Sequence, residues 1–335
     1  MTVTRSQVVT VICVITVALL FAGCLFVGSV HIPAREVLAS LTGSVDGNMA
    51  WSVIVCEARL PMAITAALAG AALAVSGLLL QTTFNNPLAG PSILGISAGA
   101  SLGVAIMVLG VGIGGAAASV FGALIGAGVV LLLLLMFARI VRSTAMLLIV
   151  GIMVGYFASS GISLLNFFTT HEGAVGAYVV WGLGNFSSVS TETLSIYSVP
   201  ILAGLGLATL LVKPLDAMLL GERYARSIGV DVQRTRACMI GLSGLLTAFV
   251  TAFCGPIGFV GLIVPHIARM ATGTSRHAVL MPVAILAGAS TGLLCAFVSV
   301  LPSVGVLPIN AITPVIGVPV VLYIILWRKH LHYFN

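Results

Sequence analysis

The chain has 335 residues, 60% of them hydrophobic and 7% charged, with a mean hydropathy of +1.22 and a formal net charge of +6. A soluble domain carries about 25% charged residues. A water-soluble domain of any size is therefore excluded, and residues 1–335 are expected to form one membrane domain whose surroundings are the lipid bilayer and not nucleic acid. The six cysteines (Cys13, Cys24, Cys56, Cys238, Cys254, Cys295) include no C-x-x-C pair and fall mostly in apolar runs, so they read as small core residues rather than a disulfide or metal framework.

Crossing the hydrocarbon takes about 20 mostly apolar residues. In chain order ten stretches meet or approach that length: residues 8–28, 60–84, 93–110, 116–138, 145–168, 194–212, 237–253, 259–271, 278–301 and 311–327. The expected fold is all-α and polytopic, with about ten transmembrane helices. The seventh and eighth stretches are short and abut across Gly255-Pro256-Ile257-Gly258. In the first, Phe21-Ala22-Gly23-Cys24 approaches a lipoprotein cleavage pattern, but the apolar run is span-length and only Arg5 precedes it, so it reads as a retained span.

Basic residues accumulate on the cytoplasmic side of a membrane protein. With the N-terminus inside, that side collects Arg5, Arg139, Arg142, Lys213, Arg223, Arg226, Arg234, Arg236, Arg269, Arg276, Arg328 and Lys329, leaving Arg35 and Arg59 outside. Both termini are then cytoplasmic. Residues 29–59 and 169–193 form long external loops, and residues 213–236 form the long cytoplasmic one. Spans two to five start outside and spans seven to ten start inside, each set with a Gly-Pro break near its first reversal (Gly90-Pro91, Gly255-Pro256). That pattern suggests an inverted repeat.

Between spans two and three lies "QTTFNNPLAGPSILGISAGAS", residues 81–101, rich in Asn, Pro and Gly and without a charge. Polar backbone inside lipid must find internal partners, so this break marks a buried reversal. Asn85 and Asn86 are read as capping groups for it.

Few residues in the spans could carry chemistry. No acidic residue lies deep in any span, so the carboxylate that usually binds a coupling ion in a secondary transporter is missing. The only lysines, Lys213 and Lys329, precede Pro214 and His330, so no P-loop exists. Gly95-Ile96-Ser97-Ala98-Gly99 fits a nucleophile-elbow pattern that has meaning only between a strand and a helix. Ser243 in Gly241-Leu242-Ser243-Gly244, with His266, resembles the pair of an intramembrane serine protease, a reading that requires the two side chains to meet. Among His31, His171, His266, His277, His330 and His332 only His266 falls within an expected span, so haem ligation is disfavoured.

Several segments together resemble the permease subunits of binding-protein-dependent ABC importers for iron chelates, haem and cobalamin, the FecCD family. They are Arg59-Leu60-Pro61, Gly70-Ala71, residues 77–81, Asn86-Pro87-Leu88-Ala89 with Pro91, Leu94-Gly95 and Gly99-Ala100, and then Trp181-Gly182-Leu183-Gly184 and residues 221–229. The second long block is Gly255-Pro256-Ile257-Gly258-Phe259-Val260-Gly261-Leu262 with Pro265, His266 and Arg269, followed by Thr313, Gly317 and Pro319. Two positions depart from the family pattern. Met62 stands where a second arginine is usual, and Val306-Leu307-Pro308-Ile309-Asn310 replaces Glu-Leu-Pro-Val-Gly.

The resemblance implies a transport subunit in the bacterial cytoplasmic (inner) membrane, without catalytic or metal-binding residues and without a cofactor of its own. It implies a homodimer of permeases, two separate ATPase subunits that use ATP and Mg, and an external substrate-binding protein. It further implies ATPase coupling through residues 213–236, with Gly221, Glu222, Arg226 and Gly229 as the named contacts. Binding-protein docking falls to Arg59, and a structural turn or gate to Asn86, Pro87, Gly95, Pro265, His266 and Arg269. Arg59 could instead snorkel to the headgroups or pair with Glu57. Met107, Met146, Met153, Phe157 and Phe168 could line a path for a bulky ligand or simply pack.

Overall fold

The structure, a computed structural model, describes residues 5–43, 49–141, 143–301 and 305–327. Arg142, Arg328, Lys329, His330 and His332 lie outside the described residues. Regular structure among the described residues is helical. In chain order the helices are α1 (Arg5–Phe26), α2 (Ala34–Thr42), α3 (Met49–Val53), α4 (Leu60–Thr83), α5 (Ile96–Ala105), α6 (Ala116–Ile140), α7 (Thr144–Phe168) and α8 (Ala174–Gly182). They continue with α9 (Leu194–Leu210), α10 (Val212–Leu219), α11 (Glu222–Ser227), α12 (Val232–Cys254), α13 (Val260–Thr272), α14 (His277–Ser299) and α15 (Ile309–Trp327). Each of the ten expected apolar stretches overlaps one of these helices over most of its length.

Among the described residues, six helices are long and apolar enough to cross a membrane, and α9 with α10, bent by 51°, makes a seventh. The helices α5, α13 and α15 belong to the shorter apolar class. At 1.5 Å rise per residue, the 13 residues of α13 cover about 20 Å of a hydrocarbon layer roughly 30 Å thick. Both α5 and α13 follow a Gly-Pro break and both begin at a left-handed residue, Gly95 at φ 74° and Phe259 at φ 68°. The two expected halves thus share a short helix that restarts after a tight break.

The run Met49–Thr83 forms the centre, with 83% of its apolar window buried. It packs against α14, α12, α13, α9 and α1. Lipid tails are as apolar as leucine, so close backbone approach has to hold such helices together. Small residues supply it: an ideal Cβ on Gly70 would lie 2.0 Å from the Gly288 carbonyl oxygen of α14, and one on Gly77 would lie 1.7 Å from that of Gly261 in α13. Gly99 and Gly103 of α5 meet Gly126 and Gly122 of α6 in the same way, with four-residue spacing on both helices. At the periphery only 11% of the α1 window and 17% of the α7 window are buried.

Candidate functional site

One end of the bundle gathers a group of charged and polar side chains. Arg5 donates to the carbonyls of Met270 and Ala271 at the end of α13, and nearby lie the end of α4, the start of α14 and the segment that holds α10 and α11. Gly221 (φ 98°) and Gly229 (φ 87°) flank α11, taking backbone conformations that a side chain would strain. Glu222, in the first turn of α11, is 3.6 Å from Arg226 one turn on and also pairs with Arg236 of α12. The Arg226 side chain is 67% exposed, so its pair with Glu222 contributes little. Arg236 is buried and carries the tighter tie. Asp231 caps α12 by accepting from the Arg234 amide at 3.0 Å. These groups, with Arg139 and Gln233, border a polar cavity of about 490 Å³. Leu220, Tyr224 and Ile228 stay exposed on the same segment.

The end of α4 holds three consecutive polar residues with partners in three different helices. Gln81 Nε2 donates to the Leu262 carbonyl at 3.0 Å and Gln81 Oε1 accepts from Arg269, both in α13. Thr82 Oγ1 is 2.8 Å from Nε2 of His277, the first residue of α14, and the Thr83 hydroxyl lies 3.6 Å from the Met239 sulfur in α12. His277 is fully buried. Its backbone amide donates to Asp216 Oδ1 at 2.6 Å, and its Nδ1 is 2.9 Å from the same oxygen. Sequence reading placed His277 outside the spans and did not pair it with Asp216, 61 residues away. The one available signal was that a histidine opens an apolar stretch.

The turn after α4 places Asn85 at φ 44° and lets Asn86 Oδ1 accept from the Leu88 amide at 2.9 Å, with Pro87 between them. Gly95 starts α5, and a Cβ there would come 2.7 Å from the Gly151 carbonyl oxygen of α7. Pro265 is buried inside α13, His266 is half-buried on the next position, and Arg269 reaches back to Gln81. The turn and α13 are thereby tied together.

Two further residues meet partners that their sequence context did not reveal. Arg59, expected to dock the binding protein, is 6% exposed, and its guanidinium donates to the carbonyls of Leu25, at 2.8 Å, and Val30, around the loop that leaves α1. The reason is that the loop after α1 folds over the start of α4 and needs donors there. Ser243 is buried between helices, its hydroxyl 2.7 Å from that of Ser76 in α4, with Thr247 completing the hydroxyl cluster. It serves helix contact, not nucleophilic chemistry.

Elsewhere, the segment around Trp181 joins α8 to two other helices. The carbonyls of Leu183 and Gly184 accept from Asn310 and Ile309 at the start of α15, and the Asn185 amide donates to Cys254 at the end of α12. Met107, Met153 and Phe157 border an apolar cavity of about 700 Å³ between α5, α6 and α7, whereas Met146 and Phe168 are exposed outside its lining.

The helical architecture and the polar end define a polytopic membrane permease. Residues 14–327 match the sequence model of the FecCD transport family. The vitamin B12 import system permease protein BtuC of Klebsiella pneumoniae is 35% identical over 278 residues, covering 82% of this chain and 82% of that protein; BtuC of Shigella sonnei is equally identical, with 84% of its length covered. A solved structure described as a metal-chelate type ABC transporter in an inward-facing conformation superposes with a TM-score of 0.84 at 29% identity, covering 96% of this chain and 98% of that one. The chain belongs to the FecCD transport family. It is a permease subunit of an ABC importer, a multi-pass membrane protein whose ATP hydrolysis lies in a partner chain and which works with a substrate-binding protein.

Proposed function

We propose that this permease carries a bulky metal chelate, of the class that contains ferric siderophores, haem and cobalamin, across the bacterial cytoplasmic (inner) membrane. The observation that carries the reading is the 35% identity, over 82% of the chain, to permeases of vitamin B12 import. The similarity to a metal-chelate type transporter supports it. So does a set of spans without a deep carboxylate, since a large cargo delivered by a binding protein needs no coupling ion from the pathway.

In this reading two identical copies pack together, and the sparsely buried α7 supplies part of the contact face. Both termini and residues 213–236 face the cytoplasm. There Gly221, Glu222, Arg226 and Gly229, with the exposed Leu220, Tyr224 and Ile228, meet the ATPase subunits that use ATP and Mg. The chain binds no cofactor itself. Asn86, Pro87 and Gly95 hold the reversal after α4, and Pro265, His266 and Arg269 make the adjoining gate-side wall.

The cargo is tested by purifying the external binding protein from cells and identifying what it retains. ATP-dependent uptake of the same compound is then measured in vesicles holding the permease and its ATPase. A corrinoid, haem or ferric chelate is expected in both assays. A sugar or an amino acid as sole cargo would overturn the cargo assignment while leaving the permease fold untouched.

A further inference from the structure

Where α10, α14 and α4 converge, three side chains form one chain of contacts, with Thr82 and His277 buried and Asp216 partly exposed. Asp216 lies on α10, within the segment assigned above to the ATPase. Its carboxylate oxygen takes both the backbone N–H and the ring Nδ1 of His277, at 2.6 and 2.9 Å. A two-point attachment fixes rotation as well as distance. The second ring nitrogen of His277 meets Thr82 at 2.8 Å, and the Thr82 hydroxyl also lies 3.0 Å from the Leu78 carbonyl of its own helix. His277 has no exposed surface, so no partner subunit can touch it.

The receiving end is equally specific. Successive residues of a helix point about 100° apart, so Gln81, Thr82 and Thr83 face α13, α14 and α12 in turn. A shift of α10 must therefore drag the start of α14 and the end of α4 with it, or leave buried polar groups without partners, which a low-dielectric interior makes costly. The end of α4 then passes the movement to α13 and α12.

We propose that Asp216, His277 and Thr82 form the joint through which motion of the ATPase-facing segment reaches the transmembrane core. The inference rests on the importer reading given above. All three are positioning residues, acting through one another and touching neither nucleotide nor cargo.

Thr82→Val keeps the side-chain shape and removes the hydroxyl, whereas Thr82→Ser keeps the hydroxyl. The intact permease in each form is reconstituted into liposomes with its ATPase and binding protein, and assembly, basal hydrolysis and cargo moved per ATP are measured. Thr82→Val is expected to assemble and hydrolyse at the parent's basal rate, while cargo per ATP falls about tenfold, the usual size of a lost inter-site coupling. Thr82→Ser is expected to behave as the parent. His277→Gln, which also loses the ring contact to Asp216, should show at least the same loss, and adding Thr82→Val to it should add nothing, because both break the same chain of contacts.

Unchanged cargo per ATP in Thr82→Val would overturn the inference. So would equal defects in the Val and Ser forms, which would mark packing rather than the hydroxyl, or assembly and transport falling in parallel. A parent complex that shows no ATP-driven uptake would instead remove the importer reading, and this inference with it.

Discussion

Replacing Gly77 with alanine is expected to abolish accumulation of folded protein in the membrane. The added Cβ would lie 1.7 Å from the Gly261 carbonyl oxygen, 2.4 Å from its carbon and 2.8 Å from its Cα, all backbone atoms of α13. No side-chain rotation relieves such a clash, so α4 and α13 must separate. Overpacking a close-packed core costs about 1–3 kcal/mol when side chains can yield, and the cost rises when they cannot. Separation would also pull Gln81 from the Leu262 carbonyl. Gly128 of α6 has nothing within 4 Å of the same ideal position and serves as the control. Gly128→Ala should accumulate as the parent does or slightly better, because alanine favours a helix over glycine by up to about 1 kcal/mol. Detergent-extracted yield and thermal stability on a sizing column distinguish the two. Equal yields for the two variants would show that the α4–α13 contact is looser than described.

Arg59→Leu is expected to be the next most damaging change. It would strip the donors from the Leu25 carbonyl, which is buried, and the Val30 carbonyl, which is partly buried. A buried acceptor left without a partner costs about 1–3 kcal/mol, so a loss of about 2 kcal/mol is expected, most of it from the Leu25 carbonyl. The guanidinium also fills the space over Gly28, where an added Cβ would meet its Nη2 at 2.9 Å. Arg59→Lys should recover only part of the loss, because an ammonium lacks the planar fork that reaches two carbonyls at once. The measurement is thermal stability of the permease alone, before any partner is added. A stable Arg59→Leu protein that fails only in docking the binding protein would support the external role read from the family resemblance.

The contrast between these two residues shows what a sequence can and cannot convey. Hydropathy is a local property, and for that reason each of the ten apolar stretches overlaps a helix over most of its length. The Gly-Pro breaks, also local, marked the starts of α5 and α13 correctly. The partners of Arg59 were not legible because the carbonyls that hold it belong to Leu25 and Val30, 34 and 29 residues earlier, in a loop whose path no local pattern reveals. The short helices α2, α3 and α8 were not foreseen for a related reason. They lie within stretches read as external loops, and their lengths of nine, five and nine residues stabilise a helix only through tertiary packing.

The functional end divides along the same line. Glu222 and Arg226 stand one helical turn apart, so their pairing lay within reach of sequence spacing. Arg236, which pairs more closely with Glu222, sits 14 residues on, past a glycine turn. Asp216 and His277 are separated by three helices and the four connections around them. Only folding shows that a histidine placed outside the spans is one of the most deeply buried polar residues of the chain.

The central claim is that this chain is the transport subunit of an importer whose chemistry resides elsewhere, and hydrolysis in a defined reconstitution tests it most directly. The purified permease is placed in liposomes alone, with its ATPase subunit, and with both the ATPase and the external binding protein. Phosphate release and cargo uptake are followed together. No hydrolysis is expected from the permease alone, basal hydrolysis once the ATPase is added, and stimulated hydrolysis with cargo accumulation only when all three are present. Hydrolysis by the permease alone that disappears on mutating this chain, or cargo accumulation without the ATPase, would contradict the account.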